Sequence, residues 1–310
     1  MKKDLTSIND LSKTEILSLL AKSIELKQAL KKQPRLDLAP GTMGALIFEK
    51  PSLRTRVTFE RAMVDLGGSA IYLGPADIGL GKRETVPDVA RNLSRWVNCI
   101  IARVFEHSKI TELAANASVP VVNALCDEEH PCQILADLLT VLEHRGSLEG
   151  ATICWTGDCN NVCNSLMLAC GLVGINLRVA TPKGFEPRQA VTNRALEYAK
   201  ESGASIVLTY DPKVGARDAD YIYTDVWASM GQEAEVEQRK QIFRPYQLNR
   251  ELMAQAKPGA RVLHCLPAHR GEEISAEVLD GPQSSTVLDQ AENRLHAQRA
   301  LLAVLLARTK

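Results

Sequence analysis

Residues 43–66 of the sequence read MGALIFEKPSLRTRVTFERAMVDL. The apolar run at 43–48 has the length of a buried strand, and the segment at 56–66 has the spacing of an amphipathic helix. The loop between them carries Ser52, Arg54 and Thr55. A strand that leads through a short loop into a helix is half of a βαβ unit, so this stretch predicts an α/β fold with a parallel sheet.

The same alternation of strand and helix continues along the chain. Further helices are expected at 87–97, at 161–172, at 187–201 and from Pro131 onward. The strand candidates form two sets, which are 43–48, 70–73, 99–103 and 119–122, and then 151–155, 177–180, 205–208, 219–224 and 261–265. Two sets predict two α/β domains, 1–145 and 146–290, each a parallel sheet flanked by helices. A last amphipathic helix at 291–308 is expected to pack back on the first domain.

Composition argues against several classes of protein. The 37 lysines and arginines balance the 37 aspartates and glutamates, which argues against a nucleic-acid or membrane-surface binder. The N-terminus has no apolar core of signal-peptide length, and no stretch approaches the roughly 18 apolar residues of a membrane span. Eight cysteines in 310 residues, with no CxxC pair, indicate reduced thiols rather than disulfides or zinc ligands. We therefore expect a cytoplasmic protein without a metal.

The loop at 52–56 is a candidate anion site. Hydroxyl groups, guanidinium groups and backbone N–H groups meet there at the start of a helix, where anions bind. Arginine matches a phosphate group with paired hydrogen bonds. The alternative is a helix capped by Ser52 with solvated arginines, which this segment alone does not exclude.

A second polar segment is His130-Pro131-Cys132-Gln133. Proline suits the first turn of a helix, and His130 and Gln133 lie three residues apart, so both side chains can face one cavity. An imidazole and an amide can both donate to a carbonyl oxygen. A histidine with a purely structural hydrogen bond is the alternative.

Two further segments leave strands of the second set. Asp225 opens the run DVWASMG at 225–231, and an aspartate at the end of a strand can hold an ammonium group. The run HCLPAHRG occupies 264–271, and its backbone carbonyls could accept from an amine or an amide. Cys265 has no obvious base in the sequence, so we expect a polar or packing role rather than a nucleophile.

Two glycine-containing turns argue against nucleotide binding. The turn at 157–161, GDCNN, follows a strand and opens a helix but lacks the second and third glycines of a dinucleotide fingerprint. The run GLGKR at 79–83 lacks the serine or threonine of a P-loop. Neither NAD binding nor a P-loop is therefore expected.

Together and in this order, these motifs resemble those of the aspartate/ornithine carbamoyltransferase family over essentially the whole chain. The family patterns S-x-R-T-R, H-P-x-Q and H-C-L-P occur at 52–56, 130–133 and 264–267. The pattern D-x-x-x-S-M-G at 225–231 is characteristic of the ornithine branch. The resemblance implies two Rossmann-like domains with the active site in the cleft between them. It implies transfer of a carbamoyl group from carbamoyl phosphate to the side-chain amine of L-ornithine, in arginine biosynthesis, without a cofactor or a metal.

The resemblance also implies roles for individual residues. Those assigned to carbamoyl phosphate are Ser52, Leu53, Arg54, Thr55, Arg103, His130, Gln133, Cys265, Leu266 and Arg294. Of these, Thr55, Arg103, His130 and Cys265 are the implied catalytic residues. Those assigned to ornithine are Asn161, Asp225, Ser229 and Met230.

The loop at 76–83 departs from the ornithine pattern. In the family, this loop reaches the active site of a neighbouring subunit, which implies a homotrimer or a multiple of trimers. Gly79 stands where ornithine enzymes often have glutamine or histidine, and Lys82 stands where aspartate enzymes have a functional lysine. Lys82 is interpreted either as the replacement phosphate contact or as a solvated loop lysine.

Three other functions remain open from the sequence. The first is a carbamoyltransferase for a modified ornithine, such as N-acetylornithine, or for putrescine. The second is a non-catalytic relative, which the intact phosphate residues disfavour. The third is a dinucleotide oxidoreductase, which only the analogy of fold supports.

Overall fold

The computed structural model describes residues 1–228 and 235–307. The chain divides into two compact units. The first comprises Met1–Leu139 together with the C-terminal stretch from Glu292, and the second is Thr140–Ala291. No helix among the described residues has both the length and the apolar character that crossing a membrane requires.

The first unit contains a four-stranded parallel sheet in the order β2-β1-β3-β4. Its strands are β1 (Met43–Phe48), β2 (Ser69–Leu73), β3 (Cys99–Arg103) and β4 (Val121–Leu125). Its helices are α1 (Lys13–Ala29), α2 (Leu53–Asp65), α3 (Pro75–Ile78), α4 (Val86–Leu93) and α5 (His107–Asn116). Strands β3 and β4 are buried along their whole length, as expected where helices cover both faces of a parallel sheet.

The second unit contains a five-stranded parallel sheet in the order β7-β6-β5-β8-β9. Its strands are β5 (Thr152–Thr156), β6 (Asn176–Ala180), β7 (Ile206–Thr209), β8 (Tyr221–Thr224) and β9 (Arg261–His264). Its helices are α7 (Asn161–Val173), α8 (Gln189–Ser202), α9 (Pro212–Ala216), α10 (Val236–Phe243), α11 (Arg250–Met253) and α12 (Ala276–Leu279). Helix α7 is buried on nearly all sides, and a Cβ atom at Gly171 would lie 2.6 Å from the Ala195 carbonyl oxygen. Glycine at this position therefore allows α7 and α8 to pack closely.

Two helices run across the division between the units. Helix α6 (Pro131–Arg145) contains the Leu139–Thr140 division, and α13 (Ser285–Leu306) contains the Ala291–Glu292 division. The C-terminal part of α13 belongs to the first unit, where Arg299 forms a buried ion pair with Asp65 of α2 at 2.5 Å.

The predicted α/β class with two parallel sheets is confirmed, and each predicted strand overlaps an observed one. Several bounds were wrong, among them the start of the helix predicted at 56–66, which begins at Leu53. The strand predicted at 119–122 lies at Val121–Leu125, because Pro120 has no N–H group to donate to the ladder. The helix predicted at 87–97 ends at Leu93, and the helix predicted at 291–308 begins at Ser285.

We expect Arg299→Met to destabilise the first unit by about 3 kcal/mol, because it leaves the buried Asp65 carboxylate without its main partner. Arg61→Ala is the matched control, since Arg61 pairs with the same carboxylate at 2.7 Å from an exposed position. Arg61→Ala should lower the free energy of unfolding by about 1 kcal/mol or less. Native-state hydrogen exchange of the α2 amides measures both changes, and equal costs would contradict this account.

Candidate active site

The loop that follows β1 ends in a capped helix. Ser52 is the N-cap residue of α2, and its Oγ accepts a hydrogen bond from the Thr55 N–H group at 3.3 Å. The side chain of Thr55 is buried, whereas that of Leu53 is exposed. The other N–H groups of the first turn have no partner within the helix, and the helix dipole places positive charge there. The cap and the anion site are therefore compatible.

Arg56 serves the helix rather than this site. Its Nε donates to Glu60 one turn later at 2.9 Å, and its guanidinium group lies 3.9 Å from the centre of the Tyr72 ring. The two arginines of the motif thus differ in their surroundings. Arg54 is the one that we retain as a ligand-binding candidate.

The register of the sheet places Arg103 beside this loop. Arg103 is the last residue of β3 and lies opposite Phe48, the last residue of β1. The Glu49 N–H group donates to the Arg103 carbonyl oxygen at 2.8 Å, so the start of the loop is held at the end of β3. The Arg103 side chain is buried.

His130 lies in a buried and positively charged environment. It immediately precedes α6 and is 4% exposed. Burial lowers the pKa of His130 well below its usual value, and the positive charges of Arg294, Arg103 and Lys50 lower this pKa further. The imidazole is therefore neutral at physiological pH and can donate one N–H group.

Arg294 of α13 joins two other predicted site residues. It donates through Nη1 to Gln133 Oε1 at 2.6 Å and through Nη2 to Thr55 Oγ1 at 3.2 Å. Gln133 Nε2 in turn donates to Asp137 Oδ1 at 2.8 Å. The amide of Gln298, oriented with its oxygen towards Arg294, accepts from the same guanidinium group. Residues from α2, α6 and α13 therefore form one buried hydrogen-bond network.

Lys50 is a site residue that the sequence analysis did not single out. It is 9% exposed, and its Nζ lies 4.7 Å from the centre of the Phe105 ring. Burial lowers the pKa of Lys50, and the nearby Arg103 lowers this pKa further. The adjacent Glu49 carboxylate is engaged by Lys109 at 2.7 Å and by the Phe105 N–H group at 2.8 Å. Buried positive charge thus accumulates around His130.

The second unit places Asp225 at the end of β8. Its Oδ2 accepts from Asn160 Nδ2 at 2.7 Å, and its Oδ1 accepts from Cys265 Sγ at 2.9 Å. Asn160 was not predicted as a site residue; it is the N-cap of α7, whose first residue is the predicted Asn161. Two other predicted residues, Ser229 and Met230, lie outside the described residues.

The segment that follows β9 has a fixed backbone. Leu266 adopts a left-handed conformation with φ of +58°, and the peptide bond to Pro267 is cis. The Leu266 N–H group donates to His264 Nδ1 at 2.9 Å. The other ring nitrogen, His264 Nε2, lies 3.1 Å from Oε1 of the buried Glu273.

The described residues of this region are poorly suited to a metal or a dinucleotide. Ligand atoms of Asp225, His264 and Cys265 lie within 4.8 Å of one another, but both imidazole nitrogens are engaged as above. At the start of α7, the Asn160 side chain already accepts from the first N–H groups of the helix, which a pyrophosphate would need. Asp158 forms a buried ion pair with Arg239, although burial raises the pKa of Asp158 to about 6.

Two family models cover the chain. The carbamoyl-P binding domain of aspartate/ornithine carbamoyltransferase matches residues 3–143, and its Asp/Orn binding domain matches residues 149–305. The chain belongs to the aspartate/ornithine carbamoyltransferase family.

Individual members of the family are similar over nearly their whole length. An ornithine carbamoyltransferase of Anoxybacillus flavithermus is 51% identical over 98% of this chain and 96% of its own. An anabolic ornithine carbamoyltransferase of Pyrococcus furiosus is 50% identical over 99% of this chain and 98% of its own. The solved ornithine carbamoyltransferase of Pyrococcus furiosus has a TM-score of 0.94 at 50% identity, covering 97% of this chain and 96% of its own. An anabolic ornithine carbamoyltransferase of Campylobacter jejuni has a TM-score of 0.92 at 37% identity, covering 98% of this chain and 99% of its own.

The two residues of this carbamoyltransferase that were predicted at the phosphate of a neighbouring subunit lie at and after the end of α3. Gly79 ends α3 with φ of +52°, and the Lys82 N–H group donates to its carbonyl oxygen at 2.8 Å. The side chain of Lys82 is exposed. Among the described residues of this one chain, neither residue forms a hydrogen bond or ion pair with Thr55, Gln133 or Arg294.

We expect His130 to remain neutral between about pH 6 and 8, because its pKa lies well below the ordinary value near 6.5. NMR titration of ring-labelled histidine, assigned with His130→Asn, measures this directly. Since burial is the largest cause, Lys50→Met should raise the His130 pKa only slightly. A midpoint near 6.5 in the unmodified protein would contradict the environment described above.

Proposed function

We propose that this chain is an ornithine carbamoyltransferase. It transfers the carbamoyl group of carbamoyl phosphate to the side-chain amine of L-ornithine and produces L-citrulline and phosphate, as a step of arginine biosynthesis. Family membership supports the reaction type, and relatives named as ornithine enzymes, two of them anabolic, support the acceptor and the pathway.

The observation that carries the proposal is the buried positive charge of the first unit. Burial lowers the pKa of His130, and Arg294, Arg103 and Lys50 lower this pKa further, so three buried cations lie close to one imidazole. Cations held close together away from water repel one another unless an anion binds among them. A phosphate dianion suits this position, with Ser52, Leu53 and Arg54 supplying further donors from the start of α2.

Neutral donors beside these cations suit the carbonyl oxygen of the carbamoyl group. Thr55 Oγ1 accepts from Arg294, so its own proton is directed to another acceptor. The neutral imidazole of His130 donates a second hydrogen bond, and Gln133 holds the carbamoyl amide. When the amine attacks, the carbon–oxygen double bond opens and negative charge develops on that oxygen. Arg103, between this oxygen and the phosphate, stabilises both charges.

The second unit supplies the acceptor site. The Asp225 carboxylate, with Asn161, Ser229 and Met230, is proposed to hold the amino-acid end of ornithine. The carbonyl oxygen of Cys265 orients the attacking amine, and that of Leu266 accepts from the carbamoyl amide. The amine nitrogen bonds to the carbamoyl carbon, the carbonyl double bond re-forms as the bond from that carbon to the phosphate oxygen breaks, and the departing phosphate takes up the proton that the amine loses. The catalytic effect comes from positioning and charge stabilisation.

The test of the activity is an assay of the purified protein with carbamoyl phosphate. The acceptors are L-ornithine, N-acetylornithine, putrescine and aspartate, and the products are separated by chromatography. Citrulline from ornithine supports the proposal. A product from putrescine or N-acetylornithine alone would instead favour the related enzymes, and no product from any acceptor would favour a non-catalytic relative.

We expect Arg54→Ala and Asp225→Asn to affect different substrates. Loss of a charge-assisted hydrogen bond costs about 1.5–3 kcal/mol, so each variant should raise one KM on the order of tenfold to a hundredfold. Arg54→Ala should raise the KM for carbamoyl phosphate, and Asp225→Asn should raise the KM for ornithine. Steady-state kinetics with each substrate varied in turn separates the two. If both variants raised both constants equally, the assignment of one substrate to each unit would be wrong.

An oligomer, proposed to be a homotrimer or a multiple of trimers, would bury an apolar surface of the first unit. On α2, Leu53 is 74% and Val57 is 52% exposed, and Ile71 on the edge strand β2 is 45% exposed. Such surfaces are typical of interaction sites. The loop with Lys82 follows β2 after the single short helix α3, which supports the proposal that Lys82 contacts carbamoyl phosphate bound to a neighbouring subunit.

We expect Lys82→Ala to raise the KM for carbamoyl phosphate about tenfold, since a lost ionic contact of about 1.4 kcal/mol has that effect. Arg83→Ala, which removes an exposed charge next to it, is the matched control and should change little. Mixed oligomers of Lys82→Ala and Arg54→Ala chains test whether Lys82 of one subunit completes the site of the next subunit. Where an intact Lys82 lies against a chain with an intact Arg54, a complete site forms, so mixing should restore activity. No recovery on mixing, with stable mixed oligomers present, would contradict the contact between subunits.

The proposed location is the cytoplasm. The eight cysteines all lie in the described part of the chain and are thiols, six of them in buried positions. Thiols are maintained in reducing compartments, whereas secreted proteins with many cysteines form disulfides.

A further inference from the structure

Behind the segment at 264–267 lies a chain of hydrogen bonds that has no role in the mechanism so far. It runs from the carboxylate of Glu273 through the imidazole of His264 to the Leu266 N–H group. Glu273 is 0% exposed and His264 is 1% exposed. Buried polar groups of this kind are costly unless they are satisfied, so their function must lie in the geometry that they impose.

The hydrogen bonds determine which ring nitrogen of His264 carries the proton. Nδ1 accepts from a backbone N–H group, so it carries none. The proton is therefore on Nε2, which donates to Glu273 Oε1 at 3.1 Å. The same carboxylate oxygen accepts from the His269 N–H group at 2.5 Å, which fixes Glu273 in turn. With the proton on Nδ1 instead, the contact with Leu266 would be lost.

The contact matters because of the conformation of Leu266. Its φ of +58° lies in the left-handed region, which a leucine occupies only when its surroundings hold it there. His264 Nδ1 holds it by accepting the Leu266 N–H group. Rotation of Leu266 back to negative φ would turn the carbonyl groups on either side of it, those of Cys265 and Leu266.

We propose that Glu273 is a positioning residue for carbamoyl transfer, acting through His264. It fixes the imidazole in the form that accepts from Leu266, and so holds the Cys265 and Leu266 carbonyl oxygens towards the attacking amine and the carbamoyl amide. The inference rests on the proposed function, because only that function gives those carbonyl groups a role. It also explains why the histidine of the H-C-L-P motif is buried rather than exposed to a ligand.

The test compares Glu273→Ala with Glu273→Gln. Glutamine can present an oxygen to both His264 Nε2 and the His269 N–H group. Among the described residues, Glu273 Oε2 accepts no hydrogen bond and lies 3.9 Å from His269 Nδ1, so its replacement by an amide nitrogen removes little. Misplacement of reacting groups by about 1 Å can cost on the order of a hundredfold in rate, so we expect Glu273→Ala to lower kcat by tenfold or more. The KM for carbamoyl phosphate should stay unchanged, and Glu273→Gln should keep kcat within about threefold of the unmodified enzyme.

Two variants of His264 distinguish a role in positioning Leu266 from a role in folding. They also provide the test if Glu273→Ala does not fold. Asparagine can accept from the N–H group two residues later, as Nδ1 does, but cannot reach Glu273. Glutamine can reach Glu273 but not that N–H group. We expect His264→Asn to keep a higher kcat than His264→Gln. The control is Asp280→Ala, which breaks the exposed Arg270–Asp280 pair on the same turn and should leave kcat unchanged.

Three outcomes would overturn the inference. They are an unchanged kcat in Glu273→Ala, an equal loss of kcat in His264→Asn and His264→Gln, and a loss of kcat in Asp280→Ala as large as that in Glu273→Ala. The unmodified enzyme is assayed in parallel. If it forms no citrulline, the proposed function itself fails, whereas an active enzyme with unaffected variants refutes only the role of Glu273.

Discussion

The chemistry of the first unit depends on positive charge that is buried around His130. Lys50, Arg103 and Arg294 approach His130 closely enough to lower its pKa, in a region where little water screens them. Such an arrangement opposes folding, because like charges repel and each one loses hydration. Of the nearby carboxylates, Glu49 binds Lys109 and Asp137 accepts from Gln133.

The parallel sheets explain how such distant parts of the chain contribute. In each sheet the strands end at one edge, and the polar residues follow them there. In the first unit Arg103 ends β3, Lys50 lies in the loop after β1 and His130 in the turn after β4, whereas Arg294 comes from α13. In the second unit Asp225 follows β8 and Cys265 follows β9, which pair in register. Backbone hydrogen bonds of the ladders thus set the distances between side chains far apart in sequence.

What the sequence could predict follows from the range of the interactions involved. Strand and helix periodicity is local, so β1, α2 and the two parallel sheets were predictable from residues near one another. The motif residues at strand ends were also predictable, because parallel sheets place them together. Lys50, Asn160 and Glu273 were missed. Each acts through a residue distant in the chain or in a different element, and nothing in its own neighbourhood distinguishes it from a solvated lysine, a helix cap or a surface glutamate.

The candidate sites of the two units carry charge of opposite sign, and this contrast supports the division of substrates between them. In the first unit, positive groups surround a neutral histidine, which suits a phosphate. In the second unit, the donors to Asp225 found among the described residues are neutral, the amide of Asn160 and the thiol of Cys265. Hydrogen bonds from neutral groups orient a carboxylate without cancelling its charge, so it can still attract an ammonium group. An arginine partner would have cancelled that charge, whereas the buried Arg239 is paired with Asp158. A phosphate beside Asp225, or an ammonium group among Lys50 and Arg103, would bring like charges together, so the charge distribution supports the proposed assignment of one substrate to each unit.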